Sequence, residues 1–166
     1  MSVAGRLVVG LAGPTLAPQE REWLVRWHPA GVILFARNAG EAGAFSRLMA
    51  DLRDALPPGA EICADHEGGA VAFLAAVAGR PPAARTLGDL DRPDLTERVH
   101  RETGQRLRDL GLDRVLAPCC DVLREPRNPV IGARSFGADA GRVARHAVAA
   151  ARGLCAAGLR GCAKHW

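Results

Sequence analysis

The sequence predicts an α/β fold in which amphipathic helices cover a parallel sheet. Five short apolar runs alternate with helical stretches along the 166 residues, and uninterrupted apolar strands of this kind belong to parallel sheets buried between helices. Polar residues able to do chemistry then stand at the ends of three successive runs, where a parallel fold gathers them on one rim.

Residues 6–13 (RLVVGLAG) form the first apolar run, closed by Gly13-Pro14. Residues 18–28 repeat at helical spacing, with Glu20, Arg21 and Glu22 toward water and Trp23, Leu24 and Trp27 toward a core. A second strand follows at 31–36 (GVILFA). A second helix spans 41–56, with Phe45, Leu48, Met49 and Leu52 on one face and Pro57-Pro58 to stop it. The third strand, 61–65 (EICAD), runs into Asp65-His66-Glu67-Gly68-Gly69, and a Pro-rich connection covers 80–94. Residues 95–110 read as a helix ended by Gly111. A fourth strand covers 113–120 (DRVLAPCC) and ends at Asp121. After a loop over 124–137, a helix spans 140–157 and a fifth strand 159–163.

Five such strands fit an open doubly wound sheet or part of an eight-stranded barrel. A dinucleotide-binding sheet wants G-x-G-x-x-G directly after its first strand, whereas this chain places Gly10, Gly13 and Pro14 there.

Composition narrows the function. The net charge of +4 comes from arginines scattered among acids, and with no tyrosine there is little to stack bases on, so no nucleic-acid partner is expected. No run approaches the roughly 20 apolar residues of a membrane span, and the first thirteen residues lack the parts of a secretory leader, so a cytoplasmic protein with no membrane partner is expected. Cys63, Cys119, Cys120, Cys155 and Cys162 show no zinc-finger spacing and read as reduced core residues; no metal and no organic cofactor is expected. Lys164 is the only lysine among 22 basic residues.

The candidate site lies at the strand ends: Asp65 and Glu67 after the third, Asp121 after the fourth, Lys164 and His165 after the fifth. Two acids beside two glycines let the backbone turn tightly while a carboxylate faces a pocket, and carboxylates accept charge-assisted hydrogen bonds from sugar hydroxyls. Arg134, in the loop after the fourth strand, brings a rigid five-donor fork. Each also has a plainer reading: helix capping for Asp121, a structural ring for His165, an exposed loop cation for Arg134.

Taken in order, Gly31-Val32-Ile33-Leu34-Phe35-Ala36-Arg37-Asn38, Asp65-His66-Glu67-Gly68-Gly69, Ala117-Pro118-Cys119-Cys120-Asp121-Val122, Val130-Ile131-Gly132-Ala133-Arg134-Ser135-Phe136 and Lys164-His165-Trp166 resemble the N-terminal domain of family 3 glycoside hydrolases, in particular its bacterial β-N-acetylglucosaminidase branch. The resemblance implies about the first five strands of a TIM (β/α)8 barrel, with residues 1–166 as the N-terminal part of that domain. It implies a retaining exo-β-N-acetylglucosaminidase acting on cell-wall peptidoglycan fragments, with a terminal β-linked N-acetylglucosamine held by Asp65, Arg134, Lys164 and His165. Glu67 and Asp121 would support the rim.

Two departures accompany it. The family usually continues Gly-Gly with Arg-Val-x-Arg, and here Ala70, Val71, Ala72 and Phe73 stand instead, so both arginines are missing. The family also continues Lys-His-aromatic with Pro-Gly-His-Gly, a loop that carries its acid/base pair, and a later strand carries its aspartate nucleophile. Retaining hydrolysis needs two such groups flanking the bond, about 5 Å apart in the common two-carboxylate case. No catalytic residue is therefore assigned, and the chain is expected to be an incomplete hydrolase, a non-catalytic sugar-binding or regulatory module, or a nonfunctional remnant.

Overall fold

The computed structural model describes residues 3–165. Its strands are β1 (Val8–Gly10), β2 (Gly31–Leu34), β3 (Glu61–Ala64), β4 (His66–Gly68), β5 (Val71–Ala72), β6 (Arg114–Val115) and β7 (Arg160–Gly161). Its helices are α1 (Pro18–Trp27), α2 (Ala42–Ala55), α3 (Ala75–Ala78), α4 (Ala84–Leu90), α5 (Pro93–Asp109) and α6 (Ala140–Ala156). Five strands form one sheet in the order β1-β2-β3-β6-β7, every pair parallel. This is the arrangement of the opening strands of a barrel, in which each strand lies beside the preceding one.

Strand pleating puts every second side chain on one face. Val32 aligns with Ile62 and Leu34 with Ala64, and these four are fully buried. They share a core with Leu24 of α1, Phe45, Leu48, Met49 and Leu52 of α2, Leu107 of α5 and Leu154 of α6. The spacing of the α2 residues, three and four apart, gives the helix one apolar stripe for this contact. On β1, Val8 is half-exposed.

A second cluster joins Ala84 and Leu87 of α4 to Val143 and Ala150 of α6 around Phe136. α5 and α6 cross closely because Gly153 has no side chain: a Cβ there would lie 2.3 Å from the Glu97 carbonyl oxygen. Asp139 caps α6, accepting a hydrogen bond from the Arg142 N–H at 2.7 Å.

Several expectations are corrected. Trp23 and Trp27, read as core residues, are 38% and 45% exposed, and Leu24 alone of the three is buried. Trp23 borders a groove with Val9, Gly10, Leu11 and Leu24 along the edge of β1 that no described strand pairs with. The Pro-rich connection contains α4, and the Glu-Gly-Gly turn leads into the antiparallel β4-β5 hairpin. Cys155, read as a core cysteine, is exposed on α6, whereas Cys63 and Cys119 are buried. Among the described residues all five cysteines are free, and no helix is long and apolar enough to cross a membrane. Trp166, the aromatic of the last motif, and Met1 and Ser2 lie outside the described residues.

Candidate functional site

The chain reverses sharply after β3 because Gly68 and Gly69 have positive φ (112° and 55°) and sit against the next segment. A Cβ on Gly68 would fall 2.2 Å from the Pro82 carbonyl oxygen. This turn sets Asp65 at the carboxyl end of β3 and directs Glu67 inward.

Beyond β6, Cys119 pairs with Lys164 in an isolated parallel bridge, so Asp121 and His165 end up side by side. The Lys164 N–H donates to the Pro118 carbonyl at 3.1 Å. The loop carrying Arg134 is fastened just after that residue. Phe136 is buried and stacks on His146 with ring centres 5.2 Å apart, while Ser135 Oγ donates to the Asp121 carbonyl at 2.6 Å.

The four sequence-selected residues meet in one network, joined by two others. Arg134 grips Glu67 with both arms of its fork, Nε to Oε2 at 2.9 Å and Nη2 to Oε1 at 2.7 Å. Lys164 Nζ reaches Glu67 Oε1 at 2.6 Å and also donates to Asp65 Oδ1. Arg134 Nη2 lies 3.3 Å from His165 Nε2, and His165 Nδ1 lies 2.7 Å from Asp121 Oδ2. Since a guanidinium can only donate, Nε2 accepts, which leaves the neutral ring's proton on Nδ1 to be donated to Asp121.

Glu67 is the centre of this arrangement, its side chain 4% exposed. Burial pushes its carboxyl up, but hydrogen bonds and charge from Arg134 and Lys164 outweigh that and hold it below its ordinary value. Arg134 is correspondingly pushed up, first by its hydrogen bond to Glu67. Burial also works against ionised Asp121, yet hydrogen bonds from Cys119 and His165 leave it lowered. The Cys119 thiol is pushed up to about 12, chiefly by burial and then by Asp121.

Glu67 thus pairs with the two cations Arg134 and Lys164, and Asp121 with the His165 ring. Most of the Arg134 fork is already engaged: Nη1 also donates to the Val130 carbonyl at 3.1 Å. At the missing arginines, Val71 and Ala72 form β5 and Phe73 packs on Phe35, ring centres 5.8 Å apart. His66, within the same motif, is buried away from the rim, where its Nδ1 accepts from the Leu74 N–H at 3.4 Å.

One participant escaped the sequence reading. Cys119 Sγ donates to Asp121 Oδ2 at 3.0 Å, and its thiol, an Asp121 oxygen and a His165 ring nitrogen lie within 4.8 Å of one another. The available signal was the two-residue offset from Asp121, which in extended chain puts both side chains on one side.

A profile of the glycosyl hydrolase family 3 N-terminal domain matches residues 5–166. A β-hexosaminidase of Stenotrophomonas maltophilia strain R551-3 is 35% identical over 166 residues, covering 96% of this chain and 49% of the relative. The solved NagZ of Neisseria gonorrhoeae in complex with N-trifluoroacetyl-D-glucosamine superposes with a TM-score of 0.90 at 30% identity, over 98% of this chain and 50% of that one. A family 3 β-N-acetylglucosaminidase from Paenibacillus gives 0.92 at 32% identity, over 100% of this chain and 33% of that one. The chain thus spans about half the length of the curated relatives it matches.

Proposed function

The chain belongs to glycosyl hydrolase family 3, and on that premise we propose that it forms the N-terminal part of a β-N-acetylglucosaminidase barrel domain and holds the terminal sugar. The observation that carries this reading is the single network of Asp65, Lys164, Glu67, Arg134 and His165 beyond the strand ends. Asp65 offers carboxylate oxygens to sugar hydroxyls, while Lys164, Arg134 and His165 supply nitrogens on the same rim. Relatives described as β-hexosaminidases, and a solved neighbour holding an N-acylated glucosamine analogue, support this substrate class. We place the protein in the cytoplasm, acting on peptidoglycan fragments with a β-linked N-acetylglucosamine at the end.

The role assigned to these residues is binding. A retaining glycosidase needs a carboxylate or equivalent free to attack and a group able to give up a proton. Glu67 and Asp121 are both held ionised, which suits neither of them to act as a proton donor near neutrality. Attack and protonation are assigned to residues outside this network. The same network favours a second reading, a sugar-binding module that does not cleave.

Calorimetric titration with N-acetylglucosamine, paired with turnover of a chromogenic N-acetyl-β-glucosaminide, tests both. Binding should weaken about tenfold to a hundredfold in Arg134→Ala, since hydrogen bonds to charged groups contribute about 1.5–3 kcal/mol. Binding without turnover supports the non-catalytic assignment. Turnover that disappears in Asp65→Ala would overturn it, and no binding by a folded chain would defeat both readings.

A further inference from the structure

Two backbone segments far apart in sequence bring a thiol, a carboxylate and an imidazole to one point. Cys119 Sγ, an Asp121 carboxylate oxygen and a His165 ring nitrogen lie within 4.8 Å of one another. We propose that Cys119, Asp121 and His165 form a divalent-cation site of zinc type, which shares His165 with the proposed sugar rim and whose test does not depend on sugar binding.

Ligand chemistry points to zinc over the harder cations. Thiolate and imidazole suit zinc, whereas calcium and magnesium seek all-oxygen shells. Three protein ligands leave the fourth corner of a tetrahedron for water or an incoming oxygen.

The positions are prepared by the backbone. The Cys119–Lys164 bridge fixes the two segments together, and the Cys120 N–H donates to the Lys164 carbonyl at 2.5 Å. Asp121 Oδ2 already accepts from Cys119 Sγ at 3.0 Å and His165 Nδ1 at 2.7 Å, so the three ligand atoms converge before any cation arrives.

Charge favours the site as well. Among the described residues Asp65, Glu67 and Asp121 face two permanent cations, Lys164 and Arg134, and both of these pair with Glu67. Among the described residues Asp121 has no lysine or arginine in ion-pair contact, only His165. On binding, the Cys119 proton passes to solvent and the ring proton moves from Nδ1 to Nε2, where it ends the contact with Arg134 Nη2. The cation and Arg134 are thereby coupled through His165.

Cobalt(II), added to the chelator-stripped protein, is the probe. One equivalent should give tetrahedral ligand-field absorption and a thiolate-to-cobalt charge-transfer band, both erased by zinc. Cys119→Ser should lose the band and weaken zinc by about tenfold or more, at least the effect of losing an outer-shell partner. Replacing Cys155→Ser and Cys162→Ser together should leave both unchanged. X-ray absorption of the zinc-loaded wild type should show one sulfur at about 2.3 Å with nitrogen and oxygen near 2.0–2.2 Å. That spectrum decides the matter should Cys119→Ser not fold. A band that survives Cys119→Ser, a shell without sulfur, or no stoichiometric uptake would overturn the proposal.

Discussion

His165 donates twice to the same oxygen of Asp121, from ring Nδ1 at 2.7 Å and from its backbone N–H at 3.2 Å, across 44 residues of sequence. One carboxylate oxygen thus helps to fix the position of the segment and, together with Arg134 Nη2 on the other ring nitrogen, the tautomer of the ring. In Asp121→Asn the charge that favours the Nδ1 proton is gone, so ¹⁵N shifts of His165 in metal-free buffer should move from a single Nδ1-H form toward a mixture. N-acetylglucosamine affinity should fall about tenfold, the loss expected from one charge-assisted hydrogen bond. An unchanged ring spectrum would show that Asp121 does not set the tautomer.

Glu67→Gln tests the centre of the network. The amide keeps the shape but leaves Arg134 and Lys164, both mostly buried, with one carboxylate between them at Asp65. Breaking a buried pair by neutralising one partner costs about 3 kcal/mol, more than the pair contributes when intact. Urea denaturation should register a loss of that order, and sugar binding should fall with it. A midpoint within error of wild type would place Glu67 outside the load on these cations.

Acid should destabilise the protein through His66. Burial lowers its pKa from 6.5 to about 4, so between those values the unfolded chain binds a proton that the folded chain refuses. Stability from this group is complete above pH 6.5 and declines as pH falls toward 4, by up to about 3 kcal/mol. His100, lowered by burial as well, acts in the same direction. Urea midpoints at pH 7 and pH 5 should differ in the wild type, and the difference should shrink in His66→Asn.

Gly88→Ala should be costly where propensity favours it. Inside a helix alanine is better than glycine by about 1 kcal/mol. Here a Cβ on α4 would sit 1.8 Å from the Phe136 carbonyl oxygen, and backbone cannot yield as a side chain can. Overpacking of about 3 kcal/mol outweighs the gain. Because Phe136 anchors the loop of Arg134, thermal unfolding and sugar titration should both register the change.

Much of this was legible because polar residues interrupt apolar runs at the same end of successive strands. Asp65, Asp121 and Lys164 needed only strand order to be placed near one another. Glu67 was harder to read. Its burial comes from the turn at Gly68 and Gly69, and its partners lie 67 and 97 residues away in sequence. The exposed Trp23 and Trp27 show the limit of periodicity, which assigns residues to a helix face without saying what that face meets. α4 escaped because Pro81, Pro82 and Gly88 argue against a helix in local terms, whereas Ala84 and Leu87 gain burial against Phe136 and α6.

Each strand of the main sheet joins the strand that precedes it there, and none has to wait for a later one. During synthesis, β2 can settle on β1 and β3 on β2 while the rest of the chain is still being made, which keeps the entropy of each closure small. The binding rim obeys a different schedule. Asp65, Glu67, Asp121 and Arg134 are all in hand before Lys164 and His165 arrive, so three carboxylates stand with one cation until the last described residues dock. Among the described residues the rim is therefore completed only when the segment of Lys164 and His165 docks, after the five strands of the sheet have been made.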